Sequence, residues 1–126
     1  MAKPTQKDGE MLIQLYTAIN TKEMMDTFTW ALNLEKTTYD EFIEKNPMGS
    51  PGYGNFMRIG SFYETVGILV KYGTINDDMV LDWLATFWDK LGPLVKGMQK
   101  ALGSPDWFEN YEYLAKKKEE WSKKRK

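Results

Sequence analysis

The run from Gly60 to Val80 constrains what this chain can fold into more than any other feature. Tyr63, Val66 and Val70 continue an apolar stripe begun by Phe56 and Ile59, the three- and four-residue recurrence of one helical face. Gly60 and Gly67 lie seven residues apart, two turns on along nearly the same face. A helical glycine costs about 1 kcal/mol relative to alanine, so two on one face point to a neighbouring helix that approaches closely. Gly73 ends the helix, with Lys71 near the negative end of its dipole. Asn76 then caps a second helix, and Asp77 and Asp78 fall where its dipole favours negative charge. Ile75 and Val80 have the spacing of a hydrophobic staple. The stretch predicts a helical hairpin over 55–91 at the centre of the fold. It predicts no reaction.

The flanks repeat the helical pattern and offer no convincing strand. Met11, Leu12, Leu15, Tyr16 and Ile19 form one face of a helix over 8–19. Asn20, with Glu23 three residues on, is a start signal before Met24, Met25, Phe28, Ala31 and Leu32. Thr38 and Glu41 repeat that signal before Phe42 and Ile43, so 21–45 forms either one long helix or two, bent near Thr37. Residues 46–54 hold two prolines and three glycines and are the clearest loop. Beyond Asn76, Met79, Val80, Trp83, Leu84, Phe87, Trp88 and Leu91 give a broad apolar face, with Trp83, Phe87 and Trp88 expected in the core. Gly92-Pro93 is expected to kink or break that helix, and Leu94, Val95, Met98, Ala101 and Leu102 continue it to Gly103. Ser104-Pro105 supplies a cap and a first-turn proline ahead of Trp107, Phe108, Tyr111 and Leu114. The expected fold is all-α: a compact bundle of five or six helices, one domain over 1–115, and a basic tail over 116–126.

Two absences exclude more chemistry than any motif supports. Among 126 residues there is no cysteine and no histidine. Disulfides, thiol chemistry, the imidazole base and ligand, and every Ser-His or Cys-His mechanism go with them. No uninterrupted apolar run approaches the roughly 20 residues of a membrane span, and Met1 to Asp8 leads into no signal-peptide core, so a cytoplasmic protein is expected. The net charge of −1 conceals a division. Residues 116–126 carry seven basic side chains against Glu119 and Glu120, a net of +5, which leaves −6 on the rest. The plain meaning of such a tail is a solvated, frayed terminus.

Several constellations are candidates for a site. Glu64 lies beside Gly60 and Gly67, where a helix should approach, and a carboxylate buried there needs a partner. Arg58 is the one arginine before the tail, so Glu64, Tyr63, Arg58 and, with its large ring, Trp83 form a candidate ligand or partner surface. Asp78 and Asp82 lie one turn apart and offer oxygen to a divalent cation, although carboxylates also simply stabilise a helix start. Glu41 and Glu44 make the E-x-x-E pair that helical nucleotide pyrophosphohydrolases use, but the second acidic pair is missing, since Gly67 follows Glu64 at that spacing. Lys116, Lys117, Lys118, Trp121, Lys123, Lys124, Arg125 and Lys126 interleave an aromatic with basic residues, a pattern able to stack on a base or sit at a lipid surface. No cofactor is expected.

The block Phe62-Tyr63-Glu64-x-x-Gly67-x-Leu69-Val70-x-x-Gly73-x-Ile75-x-x-Asp78, then Trp88 and Pro93, and the aromatic–acidic run from Phe108 to Leu114, resemble a family of small prokaryotic helical proteins catalogued as a domain of unknown function. The resemblance covers residues 21–115. It implies an all-helical fold and a prokaryotic source, and carries no activity. Some relatives carry an N-terminal membrane anchor, which is not expected here.

Three functions of different class fit these residues. The first is a non-catalytic interaction or scaffold module acting through a helical partner or a homo-oligomer, favoured by the missing catalytic residue types and the aromatic content. The second is a small-ligand-binding protein or metal-dependent hydrolase using carboxylates on the bundle. The third, opposed by the acidic body, is weak nucleic-acid binding through the basic tail.

Overall fold

In a computed structural model the structure describes residues 3–125; Met1, Ala2 and Lys126, the ends of the leader and tail readings above, lie outside them. Among the described residues seven helices follow one another: α1 (Gln6–Ile19), α2 (Lys22–Asn33), α3 (Tyr39–Lys45), α4 (Pro51–Lys71), α5 (Asp77–Trp83), α6 (Trp88–Leu102) and α7 (Glu109–Lys124). There is no strand among the described residues. The all-α class is as expected, and the count exceeds five or six for identifiable reasons. Residues 21–45 divide into two helices separated by 34–38, and α5 and α6 separate at 84–87, well before Gly92-Pro93.

Most boundaries are set by local chemistry. Thr21, Thr38, Ser50 and Asn76 each accept a hydrogen bond from a first-turn backbone N–H with the side chain, the work of an N-cap. The start of α1 adds a reciprocal pair: Thr5 accepts from the Asp8 N–H, and Asp8 accepts from the Thr5 N–H. Of the expected starts, Asn76 and Thr38 cap as read, whereas Thr21 rather than Asn20 caps α2. The last helix departs further, because 105–108 form turns and α7 begins only at Glu109. Ser104 is instead turned onto Asp106, donating to its carboxylate at 2.7 Å.

The core sits around α4. Phe56, Ile59, Tyr63, Val66 and Val70 are buried along it, as the stripe predicts, and meet Leu91, Leu94, Val95, Tyr111 and Leu114. Its closest neighbour is α7, not the α5 of a central hairpin over 55–91. The two helical glycines explain the choice. A side chain at Gly67 would fall on the backbone carbonyl of Asn110, and one at Gly60 on the ring of Phe108. The close approach foreseen from Gly60 and Gly67 is therefore made by a segment some 40 residues downstream.

Pro93 lies inside α6 without ending it. The break falls at 84–87 because two phenols from elsewhere take its carbonyls: Tyr63 donates to Ala85 O and Tyr111 to Thr86 O, each at 2.5 Å. Such donors satisfy part-buried carbonyls that a continuous helix would have bonded internally.

Candidate functional site

Two buried tyrosines, Tyr63 and Tyr111, underlie the most distinctive surface feature, and Tyr63 alone of the two lines it. They stack with ring centroids 4.8 Å apart, and Trp88 meets Tyr111 edge-on at 4.9 Å. Both are buried, and burial pushes both hydroxyls up, out of reach of physiological pH. Above Tyr63 lies an open groove of about 280 Å³ lined by Ile19, Phe28, Phe62, Tyr63, Trp83, Leu84, Ala85 and Phe87. Its aromatic walls brace one another. Phe28 meets Phe62 edge-on at 6.1 Å and lies tilted against Phe87 at 6.4 Å, and Phe62 meets Trp83 edge-on at 6.5 Å. Phe87 holds a left-handed backbone, φ 53° and ψ 21°, which is ordinarily glycine's territory. That conformation costs on the order of 1–2 kcal/mol and turns the chain from α5 into α6 at the groove wall.

Of the residues proposed from sequence as a ligand or partner surface, the groove gathers Tyr63 and Trp83 and not the other two. Glu64 turns the opposite way, onto α7. Its carboxylate accepts from the backbone N–H groups of Asn110 and Tyr111, each at 2.9 Å, and from the Asn110 side-chain amide at 2.8 Å. Phe108, the residue at the α7 N-cap position, is left-handed and caps nothing with its side chain. Glu64 thus serves as the missing N-cap, delivered from another helix, with its charge at the positive end of the α7 dipole.

Arg58 is not the partner of Glu64. Six positions away, it points to a different face of α4, where it donates to Thr27 Oγ1 at 3.0 Å and Asn55 Oδ1 at 3.1 Å and pairs with Glu23 at 3.3 Å. Thr27, fully buried, donates to Asn55 at 2.9 Å, so these residues form the polar seam between α2 and α4.

The acidic start of α5 meets the basic end of α7. Asp78 accepts from the Trp121 indole N–H at 2.7 Å, and Asp77 pairs with Lys117 at 3.4 Å. Asp82 is exposed one turn further on. Among the described residues no cluster of three or more potential ligands is arranged to hold a metal ion. Glu41 and Glu44 are exposed on α3.

The basic stretch is the continuation of α7, which crosses from Ala115 into Lys116 unbroken. Lys116 pairs with Glu112 at 3.3 Å and Lys123 with Glu119 at 3.1 Å, while Lys118 donates to the Leu81 carbonyl at the end of α5. The Lys118 ammonium and the Arg125 guanidinium each lie 4.5 Å from the Trp121 ring centre. Lys124 stands exposed beside them, in a shallow mixed-charge depression. The aromatic that suggested base stacking is folded back on the body.

Sequence reasoning missed Ile19, Phe28 and Phe62 as walls of one groove, since they come from three helices with no local signal linking them. Phe87 had the signal of a core residue only.

Chemically, the groove has walls of hydrocarbon and aromatic carbon. Its one hydroxyl is committed to Ala85 O and held protonated. Such a surface suits apolar groups, and its lining side chains present no acid, base or nucleophile for physiological pH.

No helix of the described residues is long and apolar enough to cross a membrane. The family described as Domain of unknown function (DUF4760) matches residues 4–121, and the chain belongs to it. No curated protein and no solved structure matches the chain.

Proposed function

We propose that this member of the DUF4760 family is a non-catalytic interaction module whose aromatic groove receives an apolar side chain from a helical partner. The observation that carries the proposal is the groove itself: eight lining residues, none of them charged, on walls fixed by two buried phenols. A volume of about 280 Å³ suits one or two bulky side chains. Anchors of that kind, seated in a dry pocket, dominate helix-in-groove recognition. The setting consistent with the reading is the cytoplasm of a prokaryote, where a chain without cysteine has nothing to lose to a reducing medium.

The experiment uses Ala85, which is exposed at the groove wall and contributes only its carbonyl to the Tyr63 hydrogen bond. Ala85→Arg obstructs the groove without touching the core. Native capture with the wild-type chain and this variant, followed by cross-link mapping, is expected to find a partner segment on Trp83 or Phe62 that Ala85→Arg loses. Capture indifferent to Ala85→Arg would refute the reading. So would native mass spectrometry showing a small apolar molecule in the groove, which would turn attention to the ligand-binding alternative.

A further inference from the structure

Resting on the groove reading above, we propose that the partner is a basic amphipathic helix laid along α2. Its apolar stripe covers Met25, Phe28 and Leu32 together with the groove, and its Lys or Arg side chains reach Asp82 and Asp89.

The first ground is that the apolar surface does not stop at the groove. Phe28 is the groove's wall on α2. Met25 stands three residues before it and Leu32 four after, the spacing of one helical face. Those two are 56% and 65% exposed, so this face leaves hydrocarbon in solvent over two turns. The buried side of α2 is another one, where Thr27 bonds to Asn55 of α4. An exposed apolar row continuous with a groove marks a surface for a partner. A row at helical spacing is matched by the same spacing on a second helix.

The second ground is the charge beside that row. The cations of the neighbouring segments are already held. Lys22 pairs with Asp26 at 2.7 Å, and Arg58 with Glu23 at 3.3 Å. Lys90 donates to the carbonyls of Ala31 and Leu32, at 3.3 and 2.6 Å, and Lys118 to that of Leu81. Asp82 and Asp89 are exposed and make no hydrogen bond or ion pair among the described residues. Asp82 precedes Trp83, a wall of the groove, and Asp89 stands in the first turn of α6, two residues after Phe87. The Lys90 bonds bring that turn against the end of α2, so Asp89 lies towards the Leu32 end of the row.

Carboxylates without a counter-ion beside an apolar row complement an apolar stripe flanked by cations. They repel the phosphates of nucleic acid and of acidic lipid. Exposed ion pairs are weak singly, so the row supplies the affinity and the two carboxylates the choice of partner.

The probe is a phage-displayed library of helix-forming peptides about four turns long, selected at low salt against the wild-type chain. Enriched peptides are expected to carry apolar residues at i, i+3 or i+4 and i+7, with Lys or Arg beside them. One of them, labelled with fluorescein, is then measured by anisotropy. Leu32→Ser is expected to weaken its binding about tenfold, and Asp82→Lys with Asp89→Lys about tenfold or more. A companion peptide with Glu in place of the basic residues is expected to prefer the charge-reversed chain. Circular dichroism checks that each variant folds. If the Lys pair does not, Asp82→Asn with Asp89→Asn decides, with a loss of about fivefold expected. Acidic flanks, no charge preference, binding indifferent to Leu32→Ser, or a library that yields no binder overturns the proposal. Binding that Ala85→Arg abolishes but the charge reversal leaves unmoved refutes the basic partner alone, whereas binding unmoved by Ala85→Arg refutes the groove reading with it.

Discussion

Glu64 shows how differently one side chain behaves from what its neighbourhood in sequence suggests. Between two glycines it presents itself as a pocket carboxylate in want of a cation. In the fold its partners are three N–H groups at the start of α7, none of them cationic. Helix N-termini leave N–H groups without intrahelical acceptors, and a carboxylate satisfies two of them at once while meeting the positive end of the dipole. Glu64→Ala is therefore expected to lower stability by about 1.5–3 kcal/mol, the range for hydrogen bonds to a charged group. Glu64→Gln, which keeps an acceptor but not the charge, is expected to lose less. Urea unfolding followed by tryptophan fluorescence measures both, and a neutral Glu64→Ala would refute the cap. The glycines beside it were legible as a close approach, because a missing side chain is a local fact. What approaches was not.

At the scale of elements, the break between α5 and α6 is the instructive case. Gly92-Pro93 carries the strongest breaking signal in its neighbourhood, yet α6 continues through it. The chain instead breaks where Tyr63 and Tyr111 offer hydroxyls to Ala85 and Thr86. Propensity is a weak prior of about 1 kcal/mol for glycine and about 3 for proline, and it yields where buried donors and a packed core favour another boundary. The same phenols predict an alkaline response. Burial raises their folded-state pKa values, so above the ordinary tyrosine value near 10 the unfolded chain gives up protons that the folded chain retains. Stability is thus unaffected by these two groups below about pH 10 and falls as pH rises beyond it. In a spectrophotometric titration both hydroxyls are expected to ionise only as the chain unfolds. Tyr63→Phe and Tyr111→Phe are each expected to cost about 1–3 kcal/mol by leaving a part-buried carbonyl unpaired, with α5 loosening first in amide exchange.

Across the whole molecule, the division of charge acquires a structural meaning. Part of the basic stretch is docked on α5: Lys117 on Asp77, Lys118 on the Leu81 carbonyl, and Trp121 on Asp78. Ending the chain at Ala115 is accordingly expected to remove the support of α5 as well as the charge. A fall in melting temperature of roughly 5 °C, the equivalent of about 1 kcal/mol for a domain near this size, is the expected calorimetric result. An unchanged melting temperature would restore the picture of a detached basic tail.

The sequence by itself determined the helical class, the glycine-marked close approach on α4, the caps at Thr38 and Asn76, and the missing thiol and imidazole chemistry. Each follows from residue type or from interactions within one helical turn, where i to i+4 bonding and side-chain capping act. Only the tertiary structure decided that α7 and not α5 packs on Gly67, that Glu64 caps a helix 46 residues away, that α5 stops at Trp83, and that Ile19, Phe28, Phe62, Trp83 and Phe87 share a groove. Those outcomes depend on which surfaces bury best against one another, and that free energy belongs to the packed whole and to no segment of it.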